Sequence, residues 1–143
     1  SEGLLLMTNQ GDLVNKIMRS GNAHEKEYIV TIDKPVTERF LEQMAGGIRL
    51  SELDQVTRPC KVKKVDRNTF SIILTQGLNR QIRRMCEACG CQVKRLVRVR
   101  IMNIRLGNLR TGAYRQITKE EYEELTGLLK DSSSLSLKER KNQ

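Results

Sequence analysis

The stretch GLNRQIRRMCEACG, residues 77–90, carries two kinds of reactive side chain on one short segment. Arg80, Arg83 and Arg84 gather near its start, and Cys86 and Cys89 near its end. Arginines at a helix start suit an anion, because open N–H groups and the helix dipole already favour negative charge there. A guanidinium also grips a phosphate or carboxylate with two parallel hydrogen bonds. The cysteines suggest a different chemistry. A CxxC pair can ligate zinc, and Cys60 and Cys91 would complete a set of four. Periodicity separates the two readings. Ile82, Met85, Cys86 and Cys89 fall at i, i+3, i+4 and i+7, one apolar stripe, while Arg80, Arg83, Arg84 and Glu87 share another face. Cysteines on a core-facing stripe read as small buried thiols. Zinc CxxC pairs favour turns, and the single histidine, His24, reads as a solvated loop residue. No metal is expected.

The next stretch strengthens the anion reading. Residues 88–119 contain no Asp or Glu, yet hold Lys94, Arg95, Arg98, Arg100, Arg105, Arg110, Arg115 and Lys119. Ordinary solvated surfaces mix signs, whereas a single-sign surface suits a phosphate backbone. The whole chain of 143 residues has 26 Lys and Arg against 17 Asp and Glu, a formal charge of +9, which favours a polyanionic partner. Strict alternation from Val93 would put Val93, Val97, Val99 and Ile101 on a core face. Lys94, Leu96, Arg98 and Arg100 would then point outward. An outward Leu96 either packs under arginine stems or offers an apolar surface to a base. Aromatic residues are few, which argues against a broad stacking platform for single strands. Tyr28 is a candidate for stacking on one base. It is equally a candidate core residue, since Val30 and Ile32 share its face.

These residues must be held by a fold. Leu4–Met7 reads as a buried strand ended by Asn9-Gln10-Gly11. Asp12 is placed to cap a helix bearing Leu13, Val14, Ile17 and Met18. Residues 26–33 alternate and read as a strand. Thr37 caps a helix with Phe40, Leu41 and Met44. CKVKKV and FSIILT flank a turn at residues 66–69, a hairpin. Asn79 and Gly90 bracket the arginine helix. Residues 93–106 read as strand, and Thr118 with Glu121 forms a capping box for a last helix. Residues 131–143 are polar and without periodicity, which predicts a disordered tail. The fold class is α+β, a mostly antiparallel sheet with flanking helices in one domain over residues 1–130. No apolar run approaches the roughly 20 residues of a membrane span. No basic-then-apolar leader is visible, so a reduced, cytoplasmic chain without membrane association is expected.

Four motifs in order, SEGLLLMTNQGD, HEKEY, GLNRQIRRM and LVRVRI, resemble the RsuA-type ribosomal RNA pseudouridine synthases over about residues 1–130. The resemblance implies an α+β domain around an antiparallel sheet, with RNA in a basic cleft. It implies an isomerase that needs no metal or cofactor. Such enzymes break a uridine's glycosidic bond, turn the base and rejoin it through carbon. Residue by residue, it implies that Tyr28 stacks on the target base and that Arg83 pairs with the catalytic aspartate. Leu96, in the LxRxxI motif with Arg98 and Ile101, would sit against the site. Arg80, Arg84, Lys94, Arg98 and Arg100 are the candidate RNA contacts. The family's aspartate belongs to a GRLDxD stretch directly before S/T-x-G-L, and this sequence opens at Ser1-Glu2-Gly3-Leu4. The expectation is therefore a catalytic-domain piece without its nucleophile, inactive alone. Asp12, Asp33 and Asp54 lack the family context. Two other readings stand beside it: a non-catalytic RNA-binding module using the same basic face, and a zinc-stabilised domain.

Overall fold

The computed structural model describes residues 2–19 and 22–130 together with Ser132. Apart from Ser132, the tail expected over residues 131–143 lies outside the described residues. The elements run β1 (Glu2–Gly3), α1 (Gly11–Met18), β2 (Lys26–Ile32), α2 (Glu38–Gly46), β3 (Arg49–Leu50), β4 (Gln55–Val56) and β5 (Lys61–Asp66). They continue through β6 (Thr69–Leu74), α3 (Gln81–Ala88), β7 (Val93–Ile101), β8 (Ile104–Arg105) and α4 (Lys119–Leu128). The main sheet has the order β1-β7-β2-β6-β5, with β8 folded back on β7. All its pairings are antiparallel except β1 with β7. Among the described residues no helix is long and apolar enough to cross a membrane.

Alternation builds the central strands. Phe70, Ile72 and Leu74 of β6 are buried, as are Val30 and Ile32 of β2. α2 lies on this face because Thr37 accepts a hydrogen bond from Phe40 N at 3.1 Å, starting the helix so that Phe40 and Met44 turn inward. Phe40 meets Phe70 edge to face with ring centroids 5.2 Å apart. Burial of a side chain the size of Phe70 contributes about 1.5–3 kcal/mol. A second core joins Leu4, Ile17, Ile101, Ile104, Leu125 and Leu129, and so ties α1 and α4 to the far end of β7.

Four local expectations change. The strand expected at Leu4–Met7 is only Glu2–Gly3, and Leu5 and Met7 are 69% and 86% exposed. Gly3, at φ +108°, lies so close to Arg98 that a Cβ would come 2.3 Å from its carbonyl oxygen. Leu4 N donates to that same oxygen at 2.8 Å, and the sheet pairing goes no further. α1 has Gln10 at its cap position, and Asp12 lies within the first turn, where its charge favours the dipole. Ile17 is the buried residue of α1, while Val14 and Met18 are exposed. Residues 93–106 form two strands, because Met102 at φ +53° opens a turn between β7 and β8.

Candidate basic site at the start of α3

The loop from Gly77 to Arg80 is fastened from both sides. Asn79 is not the helix cap. That position is taken by Arg80, whose backbone is left-handed at φ 51°, ψ 37°. Asn79 instead accepts from Arg84: its backbone oxygen from Nε and its Oδ1 from Nη2, both at 2.9 Å. Arg84 also stands 3.9 Å from Glu52, so its guanidinium braces the loop. On the inner side Gln81, 5% exposed, accepts from Leu78 N at 3.2 Å through Oε1. Its Nε2 donates to Gln76 Oε1 at 3.4 Å, which also accepts from Arg58 N at 3.1 Å. Arg80 is exposed and Arg83 half-buried, and among the described residues neither side chain has a hydrogen-bond or ion-pair partner.

The apolar stripe packs as the spacing predicts. Ile82, Met85 and Cys86 are buried in the first core and Cys89 packs at its edge. All four cysteines are free thiols. Burial pushes the pKa of Cys60, Cys86, Cys89 and Cys91 upward, which favours thiol over thiolate. Cys91 Sγ donates to Cys86 O at 3.3 Å. Among the described residues no three or more His, Cys, Asp or Glu side chains gather as a metal site.

The strand parity expected for β7 does not hold. Two irregularities interrupt the pairing with β2, one between Glu27 and Tyr28, the other between Thr31 and Ile32. Each sets two β7 residues against one of β2, and a bulge reverses side-chain direction beyond it. Val93 then joins Ile32, Leu96 joins Val30 and Arg98 joins Tyr28, while Arg100 falls opposite Glu27. Leu96 is therefore a core residue, 8% exposed, and not an outward one. Arg100 is enclosed too: Nε is 2.9 Å from Glu27 Oε1 and Nη2 is 3.2 Å from Glu25 Oε1. Its Nη1 donates to Met102 O at 2.7 Å. Lys94 stays exposed, and Arg98, half-buried, donates from Nε to Leu4 O at 2.9 Å.

The acid-free run is also less cationic in space than in sequence. Carboxylates from outside it reach in: Glu2 on Arg95 at 2.8 Å, Glu121 on Arg115 at 2.7 Å, and the two glutamates on Arg100. Lys26 went unnoticed in the sequence. It shares the face of Tyr28, is 4% exposed, and its Nζ reaches only His24 O, at 3.3 Å, among the described residues. Burial, aided by the charge of Arg98, pulls its pKa down to about 8. Parity from Val30 back through Tyr28 was the signal that could have found it.

The sheet pairs Tyr28 with Arg98 on its β2–β7 ladder and carries an arginine-bearing helix start on α3, and comparison with known proteins identifies the family. Residues 1–88 match the RNA pseudouridylate synthase family. The chain is 54% identical over 134 residues to the dual-specificity RNA pseudouridine synthase RluF of Escherichia coli, covering 94% of this chain and 46% of that protein. It is 32% identical over 142 residues to the ribosomal large subunit pseudouridine synthase B of Buchnera aphidicola, covering 92% of this chain and 56% of the relative. A crystal structure of a pseudouridylate synthase superposes with a TM-score of 0.78 at 32% identity, over 82% of this chain and 52% of that one. The chain belongs to the RNA pseudouridylate synthase family. It spans about half the length of the curated relatives it matches.

Proposed function

We propose that this chain is the carboxy-terminal part of the catalytic domain of an enzyme that converts a specific uridine of ribosomal RNA, in the large subunit, to pseudouridine. In this reading residues 1–130 are the catalytic-domain portion. The reaction breaks the bond from C1′ to N1, turns the base and forms a bond from C1′ to C5; the C5 proton is lost to water and N1 takes up a proton in its place. Tyr28 lies against the base, and Arg83 holds the catalytic carboxylate ionised and aimed. Arg80, Lys94 and Arg98 meet phosphates. The observation that carries the reading is the placement of Arg83 in the family-matched span, half-buried on α3 with no partner among the described residues. A half-buried guanidinium without an anion is poorly compensated, so it suits a carboxylate supplied from beyond these residues. The reading puts the protein with ribosomal RNA in the cytoplasm and assigns no metal or cofactor to the chemistry.

The test is tritium release from ribosomal RNA labelled at C5 of uridine. The gene product extended to the relatives' length should release tritium, and the 143-residue chain alone should not. An extended protein that binds ribosomal RNA yet releases none would make this a binding module instead.

A further inference from the structure

We infer that Gln81 is a positioning residue for Arg83: its buried amide fixes the rotation of α3, and that rotation aims the arginine. The inference rests on the pseudouridine synthase reading of Arg83.

Three observations carry it. Gln81 is a buried polar residue, 5% exposed, on a short helix whose other buried residues are apolar or sulfur-bearing. Buried amides are retained where each polar atom finds a partner, and Gln81 finds partners on both sides. Oε1 takes the Leu78 amide at 3.2 Å, while the Gln81 amide donates back to Leu78 O at 3.1 Å, a reciprocal clasp across the loop. Nε2 reaches Gln76 Oε1, which also holds Arg58 N. The start of α3 is thereby tied to the exit of β6 and to the segment entering β5. Side chains two residues apart on a helix lie about 200° apart around its axis. Holding Gln81 inward therefore turns Arg83 outward.

The loop needs such a clasp. Arg80 is in the left-handed region, where an L-residue with a Cβ is strained. Asn79 offers α3 no side-chain cap. The apolar stripe from Ile82 onward seats the helix in the core; apart from the Arg84 brace, Gln81 supplies the polar contacts at its start. Displacing a reacting or orienting group by about 1 Å can lower a rate about 100-fold, so a loosened helix start would act on turnover before binding.

The experiment compares Gln81→Met and Gln81→Glu in the extended, tritium-releasing protein. Single-turnover rate at saturating RNA, RNA affinity and melting temperature are measured together. Gln81→Met should lower the rate about tenfold or more and leave affinity within about threefold. Gln81→Glu keeps the acceptor for Leu78 N and should recover part of the rate. Gln76→Met keeps the Gln81–Leu78 clasp, removes the acceptor shared by Gln81 Nε2 and Arg58 N and gives a milder loss, which keeps the test decisive if Gln81→Met does not fold. Equal losses of rate and melting temperature in both Gln81 variants would make Gln81 merely structural and overturn the inference. So would a loss of affinity with the rate intact. A wild-type protein that releases no tritium would instead refute the enzyme reading, and the positioning role with it.

Discussion

Tyr28 and Arg98 stand directly opposite each other across the β2–β7 ladder, on the face that also carries Val30 and Leu96. Opposed strand residues have Cβ atoms about 4.5–5.5 Å apart, so the two side chains leave the sheet as neighbours, with Tyr28 packed at the edge of the first core. Lys26 is the next residue on the same face. Its burial is costly, because an ammonium leaves water for a place with one carbonyl acceptor.

Lys26→Met should therefore stabilise the chain near neutral pH, by roughly 1–3 kcal/mol. The sign follows from protons bound. Between the folded pKa of about 8 and the unfolded value of 10.5, the unfolded chain holds more protons at this site. Stability of the wild type then rises with pH through that window. The advantage of Lys26→Met should be full below pH 8 and vanish above 10.5. Urea unfolding of both proteins from pH 7 to 11 checks it, and a gap that does not narrow would show that Lys26 is not held in this way.

Arg100 should prove structural. Its guanidinium, 11% exposed, is shared by Glu25, Glu27 and the Met102 carbonyl. Removing one member of a buried ion pair costs about 3–5 kcal/mol because the partner charges stay behind. Arg100→Ala should lower stability on that scale. At salt concentrations where it remains folded, the slope of log affinity for RNA against log salt should be unchanged. Arg98→Ala should flatten that slope by about 0.7–0.9 if Arg98 meets one phosphate.

These differences mark what the sequence could and could not tell. Thr37, the hairpin at residues 66–69 and the Thr118–Glu121 capping box were readable because each depends on residues a few positions apart. The stripe Ile82–Met85–Cys86–Cys89 was readable because a helix has one period throughout. The faces of β7 were not. Alternation survives only until a bulge, and both irregularities arise from pairing with β2, some 70 residues away in the chain. The neutralisation of Arg95, Arg100 and Arg115 was hidden for the same reason. A run without acids says nothing about carboxylates the fold brings in from elsewhere. Even the cap of α3 escaped, since Asn79 was taken by Arg84 and a left-handed arginine filled its place.

The cysteines should differ in stability. Cys86 is fully buried beside Met85, whereas Cys89 lies half-exposed at the edge of the same core. Cys86→Ala leaves a small cavity and should cost on the order of 1–2 kcal/mol, with Cys89→Ala costing less. Thermal melts of the two variants, prepared without added zinc, check this. Stoichiometric zinc in the wild type, lost in either variant, would overturn the packing account.

Arg80 allows stability and binding to be separated. A glycine adopts the left-handed backbone without the penalty an arginine carries there. Arg80→Gly should melt no lower than the wild type, and up to about 1 kcal/mol more stably. The same change removes an exposed charge and should weaken RNA binding, with a salt slope shallower by about 0.7–0.9. A variant that melts lower and binds equally well would mean that Arg80 serves the fold and not the ligand.

Arg83 should show the opposite pattern from Arg80. Both are on one short helix, yet Arg80 is exposed at its cap and Arg83 is half-buried one turn further on. An exposed arginine is placed to meet a phosphate in water. A half-buried one loses part of its hydration and gains most from a fixed carboxylate with two parallel hydrogen bonds. That pairing would hold the carboxylate ionised and set its direction, both of which a nucleophile or base needs. In the extended protein, Arg83→Ala should lower the single-turnover rate at saturating RNA by about 100-fold or more. RNA affinity should move by less than about tenfold. Arg83→Lys keeps the charge but not the planar fork, and should recover little of the rate. A variant with normal rate and reduced affinity would assign Arg83 to the RNA backbone and make the start of α3 a plain phosphate clamp.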